Sequence, residues 1–331
     1  MVFIYFILAA VVTVYSARKL SQFADIISEK TAMGGMLVGT VLLAGATSLP
    51  EVTTSFSAVI IGNPDIAIGN MLGSNLFNFF ILASFDLYFR RKQLFHLGSG
   101  SHLHSATLGL ILTLLVTLAL LLRIDFIIFG IGIDALIIAA VYVFGMFIIS
   151  KLPAPPVDEN AIKADTSVIK KKESSVTAKG AIIGFIIAAI VIMGAGTVLS
   201  IMGDKIALVT GMGSSFVGSF LIAATTSLPE AVSVFIALRL KNVNLAIGSI
   251  LGSNMFNMLI LAISDIVYRG GSILAEVSGS HIFTSIGILI MSLVVMVALG
   301  RKQSESVLRY IMPSLIIFLG YFIVSYIIFV G

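Results

Sequence analysis

Residues 44–78 read AGATSLPEVTTSFSAVIIGNPDIAIGNMLGSNLFN, and residues 223–257 read AATTSLPEAVSVFIALRLKNVNLAIGSILGSNMFN. The two stretches align without a gap at a constant offset of 179 residues. Each sets a Thr-Ser-Leu-Pro-Glu break and a Gly-Ser-Asn-x-x-Asn run inside apolar surroundings. The same offset continues outward. Ala9-Ala10 matches Ala188-Ala189, Leu20-Ser21 matches Leu199-Ser200, and Asp25 matches Asp204. Ser99-Gly100-Ser101-His102 matches Ser278-Gly279-Ser280-His281. The chain therefore reads as two copies of one unit.

The surroundings of these motifs are lipid-like. Apolar residues make up 58% of the 331 and charged residues 11%, with a mean hydropathy of +1.12. That is the profile of a membrane protein. There is no Cys, which excludes disulfides, Cys-ligated zinc and Cys nucleophiles. The sequence pI near 9.2 invites a nucleic-acid partner. The basic residues sit in short loops between apolar spans instead, so no nucleic acid is expected. The first apolar stretch lacks a basic leader and a small-residue cleavage site, and is expected to stay as a helix.

About 20 apolar residues cross a bilayer. Ten segments meet that need, at about 2–17, 33–61, 65–88, 105–122, 126–150, 180–202, 212–238, 244–267, 281–299 and 308–329. Of the 20 Lys and Arg, all but Arg123, Lys205 and Arg269 fall after odd-numbered spans. That side is expected to be cytoplasmic, which puts both termini outside. Residues 151–178 form a hydrophilic cytoplasmic linker between a first repeat at 1–150 and a second at 179–331. Lys170–Lys172 within it reads as a solvated positive-inside loop or as a contact for anionic lipid.

Five spans per repeat is an odd number, so the copies cross in opposite directions. The expected fold is an all-α membrane protein of ten transmembrane helices in two inverted five-helix repeats, with helices 2 and 7 broken. Inverted repeats with interrupted helices at the midplane belong to secondary transporters, and the interruptions mark the binding site.

Pro50 and Pro229 make the interruptions. Each removes a backbone donor and disfavours helical geometry at the residue before it. Freed carbonyls in hydrocarbon need other partners, and a cation is one. Glu51 and Glu230 follow directly. Ser48-x-x-Glu51 and Ser227-x-x-Glu230 also fit a capping box, in which the carboxylate only satisfies a half-helix start. Their place near the centre of a span favours function, because a charge there costs about 2.5–3.5 kcal/mol even on the lenient insertion scale. Both readings can hold together. Ser74 with Asn78, and Ser253 with Asn257, share one helical face at i,i+4. They read as cation ligands or as interhelical hydrogen bonds. Gly69 with Gly73, and Gly248 with Gly252, allow close helix approach.

Pooled, the two copies offer two carboxylates, two amides, hydroxyls and carbonyls, with no sulfur or imidazole. Oxygen-only coordination suits hard cations such as Ca²⁺ or Na⁺. Two carboxylates neutralise one Ca²⁺, two Na⁺ or two protons, and net charge at this depth is costly. The pattern implies a carrier that crosses only with its carboxylates matched.

The paired TSLPE and GSN-x-x-N segments resemble the alpha-repeats of the cation/calcium antiporter superfamily, especially its sodium/calcium exchanger branch. The resemblance implies that Glu51 and Glu230 are the central ligands. Thr47, Ser48, Ser74 and Asn78 join from one half, and Thr226, Ser227, Ser253 and Asn257 from the other. Ala44 and Ala223 give backbone oxygens. It further implies alternating access, with the first and sixth helices sliding against a fixed core. Exchangers of this branch end the second motif in Asp, where this chain has Asn257, which leaves one carboxylate fewer. Exchange of Ca²⁺ for Na⁺ is the leading expectation. H⁺/Ca²⁺ exchange, another divalent cation (Mg²⁺ or Mn²⁺) and a channel are the alternatives.

No enzyme is expected: HExxH, GxSxG and Cys are all missing. No cofactor is expected beyond the transported ions, Ca²⁺ and Na⁺ or H⁺. The expected partners are inorganic cations and the lipid bilayer of the cell membrane, with one chain sufficient for function. Asp134 reads as a bond to a neighbouring helix or as a modulator of the pathway. Asp65 sits at a helix start that stabilises a carboxylate. Asp86 and Asp265 read as loop anchors or vestibule charges. His102 and His281 are placed in loops, with a pH-sensing role the alternative. Met33, Met36 and Met71 read as packing.

Overall fold

In the computed structural model the described residues are 1–30, 47–90, 93–98, 100–152, 176–239, 242–301 and 306–330. They form helices α1 (Val2–Lys30), α2 (Leu49–Ile60), α3 (Pro64–Tyr88), α4 (Leu94–Leu97), α5 (His102–Leu122) and α6 (Ile133–Lys151). The chain continues with α7 (Ala178–Thr210), α8 (Ser214–Thr226), α9 (Leu228–Arg239), α10 (Val243–Val267), α11 (Ile273–Glu276), α12 (Ser280–Gly300) and α13 (Val307–Val330). Eight of these are long and apolar enough to cross a membrane, and α8 with α9, bent by 42° at Ser227, makes a ninth candidate. This is a multi-pass, all-α membrane architecture. The expected second span is described only from Thr47 onward, and residues 153–175 of the linker, with Lys170–Lys172, lie outside the described residues.

Local sequence explains the boundaries. Pro64 opens α3 where its missing N–H costs nothing, and the Asn63 side chain accepts the Ile66 N–H at 3.2 Å. Asn242 does the same for the Leu245 N–H at 3.0 Å. Gly211, at φ 72°, ends α7 in the left-handed region. Bounds recur 179 residues apart: α2 with α9, α3 with α10, and α4 with α11.

Three expectations are corrected. The fifth span starts at Ile133, not 126. Ile127–Ile128 instead pairs with Ile131–Gly132 in a hairpin whose turn residues, Phe129 and Gly130, have φ of 52° and 82°. Positive φ at both positions is the type I′ signature, and a short apolar run does not by itself distinguish strand from helix. Next, α1 and α7 run to Lys30 and Thr210, well past the expected ends at 17 and 202. At 33 residues α7 is ~50 Å long, which requires tilt or protrusion. Finally, His102 and His281 are not loop residues; they sit buried in the first turns of α5 and α12.

The two histidines clamp helix starts together in a matched way. His281 Nε2 meets Asp65 Oδ1 at 3.0 Å, and His102 Nε2 meets Asn244 Oδ1 at 3.2 Å. Asp86 and Asp265 hold matched corners, accepting the Leu94 N–H at 3.1 Å and the Ile273 N–H at 2.7 Å. Asp86 also takes the hydroxyls of Ser314 and Tyr310, and Asp265 takes the Gly132 N–H. Asp134 accepts the Ser272 hydroxyl at 2.8 Å and so fastens the hairpin end of α6 to the start of α11.

The most buried helices are α3 and α10, packed on each other at the centre of the main apolar core. Met71 is fully buried there. α13 covers α3 through an aromatic seam in which Phe80 and Tyr321 lie 4.6 Å apart. A second, smaller core lies between α1 and α7, built from Ala17, Leu20, Ala24, Ala188 and Ile192.

Candidate cation site

Pro229 has no N–H to continue the ladder, so the helix turns at Ser227 into α9. The last part of α8 before the break contains a π-helical stretch, Val217–Ile222. Such widened turns gather at functional sites. This stretch lies backbone-on-backbone against α3. A Cβ on Gly73 would land on the Ser219 main chain, and one on Gly218 would meet the Ile66 carbonyl. Glycine alone permits that approach, which brings the α3 motif against the break.

Glu51 and Glu230 lie in the first turns of α2 and α9, both buried. Glu51 Oε1 accepts the Ser227 hydroxyl at 3.3 Å. Glu51 Oε2 and both oxygens of Glu230 have no hydrogen-bond partner among the described residues. The capping box does not form in the first copy, because Ser48 makes no side-chain cap bond to α2. The Glu51 carboxylate reaches instead to the other copy's break, through Ser227.

The amides complete the picture. Asn78 Nδ2 donates to Asn254 Oδ1 at 2.9 Å and to Ser253 Oγ at 3.4 Å. Asn257 Nδ2 donates to Asn75 Oδ1 at 2.9 Å. Asn78 Oδ1 and Asn257 Oδ1 have no partner among the described residues. Of nine buried polar side-chain atoms without one among the described residues, five belong to Glu51, Glu230, Asn78 and Asn257. Buried oxygen is ordinarily bonded, and oxygens of this kind are the ligands that hard cations take.

The hydroxyls lie around them. Thr226 donates to Asn70 Oδ1 at 3.1 Å, and Ser74 Oγ stands 3.5 Å from Thr226 Oγ1. Ser48, Ser74, Thr226, Ser227 and Ser253 are buried, and Thr47 is half-buried. Ala44 lies outside the described residues. The Ala223 carbonyl is not the free oxygen expected of it: it accepts the Ser227 N–H at 3.0 Å and the Thr226 hydroxyl at 3.3 Å. The helical ladder survives that far into the break.

Three residues were not singled out from sequence. Asn70 donates to Thr54 Oγ1 at 2.7 Å and to the Glu51 carbonyl at 3.4 Å while accepting from Thr226, so it ties α2 to the break in α8–α9. Asn75 and Asn254 sit inside the quoted motifs and pair with each other across α3 and α10. Asn75 and Asn254 carried the signal of recurrence at the repeat offset, whereas Asn70, matched by Ser249, was marked only as a polar residue in an apolar helix. Among the described residues, no group of three or more His, Cys, Asp or Glu converges. The carboxylates come as a pair among neutral oxygens.

Comparison with known proteins fits this geometry. The profile of the family described as "Sodium/calcium exchanger protein" matches residues 1–151 and again residues 180–330. The chain belongs to that family. It falls within the cation/calcium antiporter superfamily, and the double match repeats the division seen in the sequence. CaxA of Alkalimonas amylolytica is 25% identical to this exchanger-family chain over 308 residues, covering 91% of each. The crystal structure of the H⁺/Ca²⁺ exchanger CAX superposes with a TM-score of 0.70 at 13% identity, over 99% of this chain and 86% of that one. The sodium-calcium exchanger NCX_Mj gives 0.56 at 20% identity, over 98% of both. At these identities the structures speak for the fold.

Proposed function

We propose that this chain is a secondary active antiporter that exchanges Ca²⁺ for Na⁺ across the cell membrane by alternating access. The observation that carries the reading is the set of five buried oxygens on Glu51, Glu230, Asn78 and Asn257, drawn from both halves, that have no partner among the described residues. Ser74, Ser253, Thr226, Ser227, Ser48 and Thr47 complete the coordination, with Ala44 as a backbone ligand. Ten spans in two inverted repeats, both termini outside and the 151–178 linker in the cytoplasm are part of the same proposal. The recurrence of helix bounds at the repeat offset supports it.

The charge balance explains obligatory exchange. Two buried carboxylates without counter-charge are expensive, and one Ca²⁺ or two monovalent cations cancel them. The empty carrier is held back, while either loaded form can cross. Proton coupling is the second reading. It is favoured by Asn257, which leaves the site with two carboxylates, and by likeness to the fold of the H⁺/Ca²⁺ exchanger CAX.

Uptake of ⁴⁵Ca²⁺ into proteoliposomes, driven separately by a Na⁺ gradient and by a pH gradient, decides between the two. Uptake on the Na⁺ gradient alone is the expected result. Uptake on the pH gradient alone replaces Na⁺ with H⁺, and failure of both brings Mg²⁺ or Mn²⁺ forward. Asn257→Asp adds a third carboxylate, and the Na⁺ dependence of uptake should steepen by about one ion per cycle, because neutralising one more charge takes one more monovalent cation. Unchanged Na⁺ and H⁺ dependence in this variant refutes the charge balance.

A further inference from the structure

We propose that Asn75 and Asn254 set the direction of the two ligand amides, each acting on the ligand of the opposite half. The inference rests on the cation site assigned above. A primary amide has two unlike ends: its oxygen attracts a cation and its NH₂ repels one. Nothing in the Gly-Ser-Asn-x-x-Asn spacing says which end of Asn78 or Asn257 faces the ion. The main chain decides it. Asn75 Nδ2 donates to the backbone carbonyl of Asn254 at 3.0 Å, and Asn254 Nδ2 donates to the backbone carbonyl of Asn75 at 3.4 Å. A carbonyl can only accept, so both NH₂ ends are committed.

What remains of each is its side-chain oxygen, and that oxygen must find a donor. Asn254 Oδ1 takes the NH₂ of Asn78, and Asn75 Oδ1 takes the NH₂ of Asn257, both at 2.9 Å. Asn78 and Asn257 are thereby turned so that their own oxygens point away from the pair, and these are two of the five atoms left without a partner. All four amides are buried. Reversing any one of them sets NH₂ against NH₂ or oxygen against oxygen in the next, so the network has one consistent polarity. Asn75 and Asn254 are positioning residues, and through them each half orients a ligand of the other.

The plain alternative is that the pair only glues α3 to α10. A carboxylate shows oxygen whichever way it turns, and this separates the two roles. Asn254→Leu is compared in the native chain and in an Asn78→Asp background, with Ca²⁺ binding measured by calorimetry on the purified full-length protein and initial transport rates in proteoliposomes. In the native background Asn254→Leu should raise the Kd and KM for Ca²⁺ about tenfold, the usual scale for a partner that orients a metal ligand. Maximal rate should hold within about twofold. In the Asn78→Asp background the loss should shrink below about twofold, the limit of simple additivity.

Equal losses in both backgrounds, or no loss in either, overturn the proposal. If Asn254→Leu does not fold, Asn254→Gln, which keeps a neutral amide oxygen, against Asn254→Ala makes the same test. The first keeps an acceptor for Asn78 and should bind Ca²⁺ at least threefold more tightly than the second, within the range such partners contribute; equal binding overturns the proposal. Glu51→Gln is measured alongside. Lost Ca²⁺ binding there, with a flat double-mutant result, removes only the amide inference, whereas retained binding removes the site itself.

Discussion

Glu51 and Glu230 occupy matched places in matched motifs, yet the structure treats them differently. Glu51 is tied to the hydroxyl of Ser227, which belongs to the other copy's break, while neither oxygen of Glu230 has a partner among the described residues. A second matched pair diverges in the same way. His281 faces the carboxylate of Asp65, and His102 faces the amide of Asn244. Duplicated sequence has thus given two halves that share a backbone plan and differ in how their charges are satisfied.

The largest test asks whether the two acids are equal partners in spite of this. Glu51→Gln and Glu230→Gln should each lower Ca²⁺ transport on the order of a hundredfold or more, as breaking a buried charged constellation costs about 3–5 kcal/mol. Initial ⁴⁵Ca²⁺ uptake measures it, and near-native uptake by either variant ends the idea of a shared site. Gly73→Ala probes the contact that brings the α3 motif to the break. Its Cβ would strike the Ser219 main chain, which cannot rotate away. A loss of about 1–3 kcal/mol is expected, read as a lowered melting temperature in detergent.

Ser227→Ala removes the bond that distinguishes Glu51 from Glu230. A hydrogen bond to a charged group is worth about 1.5–3 kcal/mol, so Ca²⁺ affinity should fall about tenfold. Ser48→Ala, at the matched position without a cap bond, should cost less; calorimetric affinities of both variants check the order. The smallest effect is expected from Asp65→Asn, which copies the His102–Asn244 contact at the other clamp. Asp65 keeps its polar partners in amide form and is 30% exposed, so stability should change by less than about 1 kcal/mol. A larger drop in melting temperature would mean that the two clamps are not interchangeable.

Much of this was legible in the chain itself. The offset, the prolines and the glutamates are local patterns, and they located the four residues whose oxygens stand unpaired. What was not legible depends on contacts between distant segments. The capping box at Ser48 fits its spacing and does not form. Asn70 is chosen by what lies across the helix interface, and the roles of Asn75 and Asn254, which do recur at the repeat offset, depend on the same contacts. His102 and His281 were misplaced because their Ser-Gly-Ser flanks look like loop, whereas the polar partners waiting on α10 and α3 draw them into buried first turns. The hairpin at 127–132 was hidden by its apolar side chains, which suit a helix equally well.

The contact between α1 and α7 is paved at Ala17, Ala24 and Ala188, with the tip of the Phe23 ring against Gly184. Small side chains on facing helices let the two backbones approach closely, with Leu20 and Ile192 filling the space between them. In a bilayer, whose tails are as apolar as leucine, that close fit rather than any escape from water is what keeps two helices side by side.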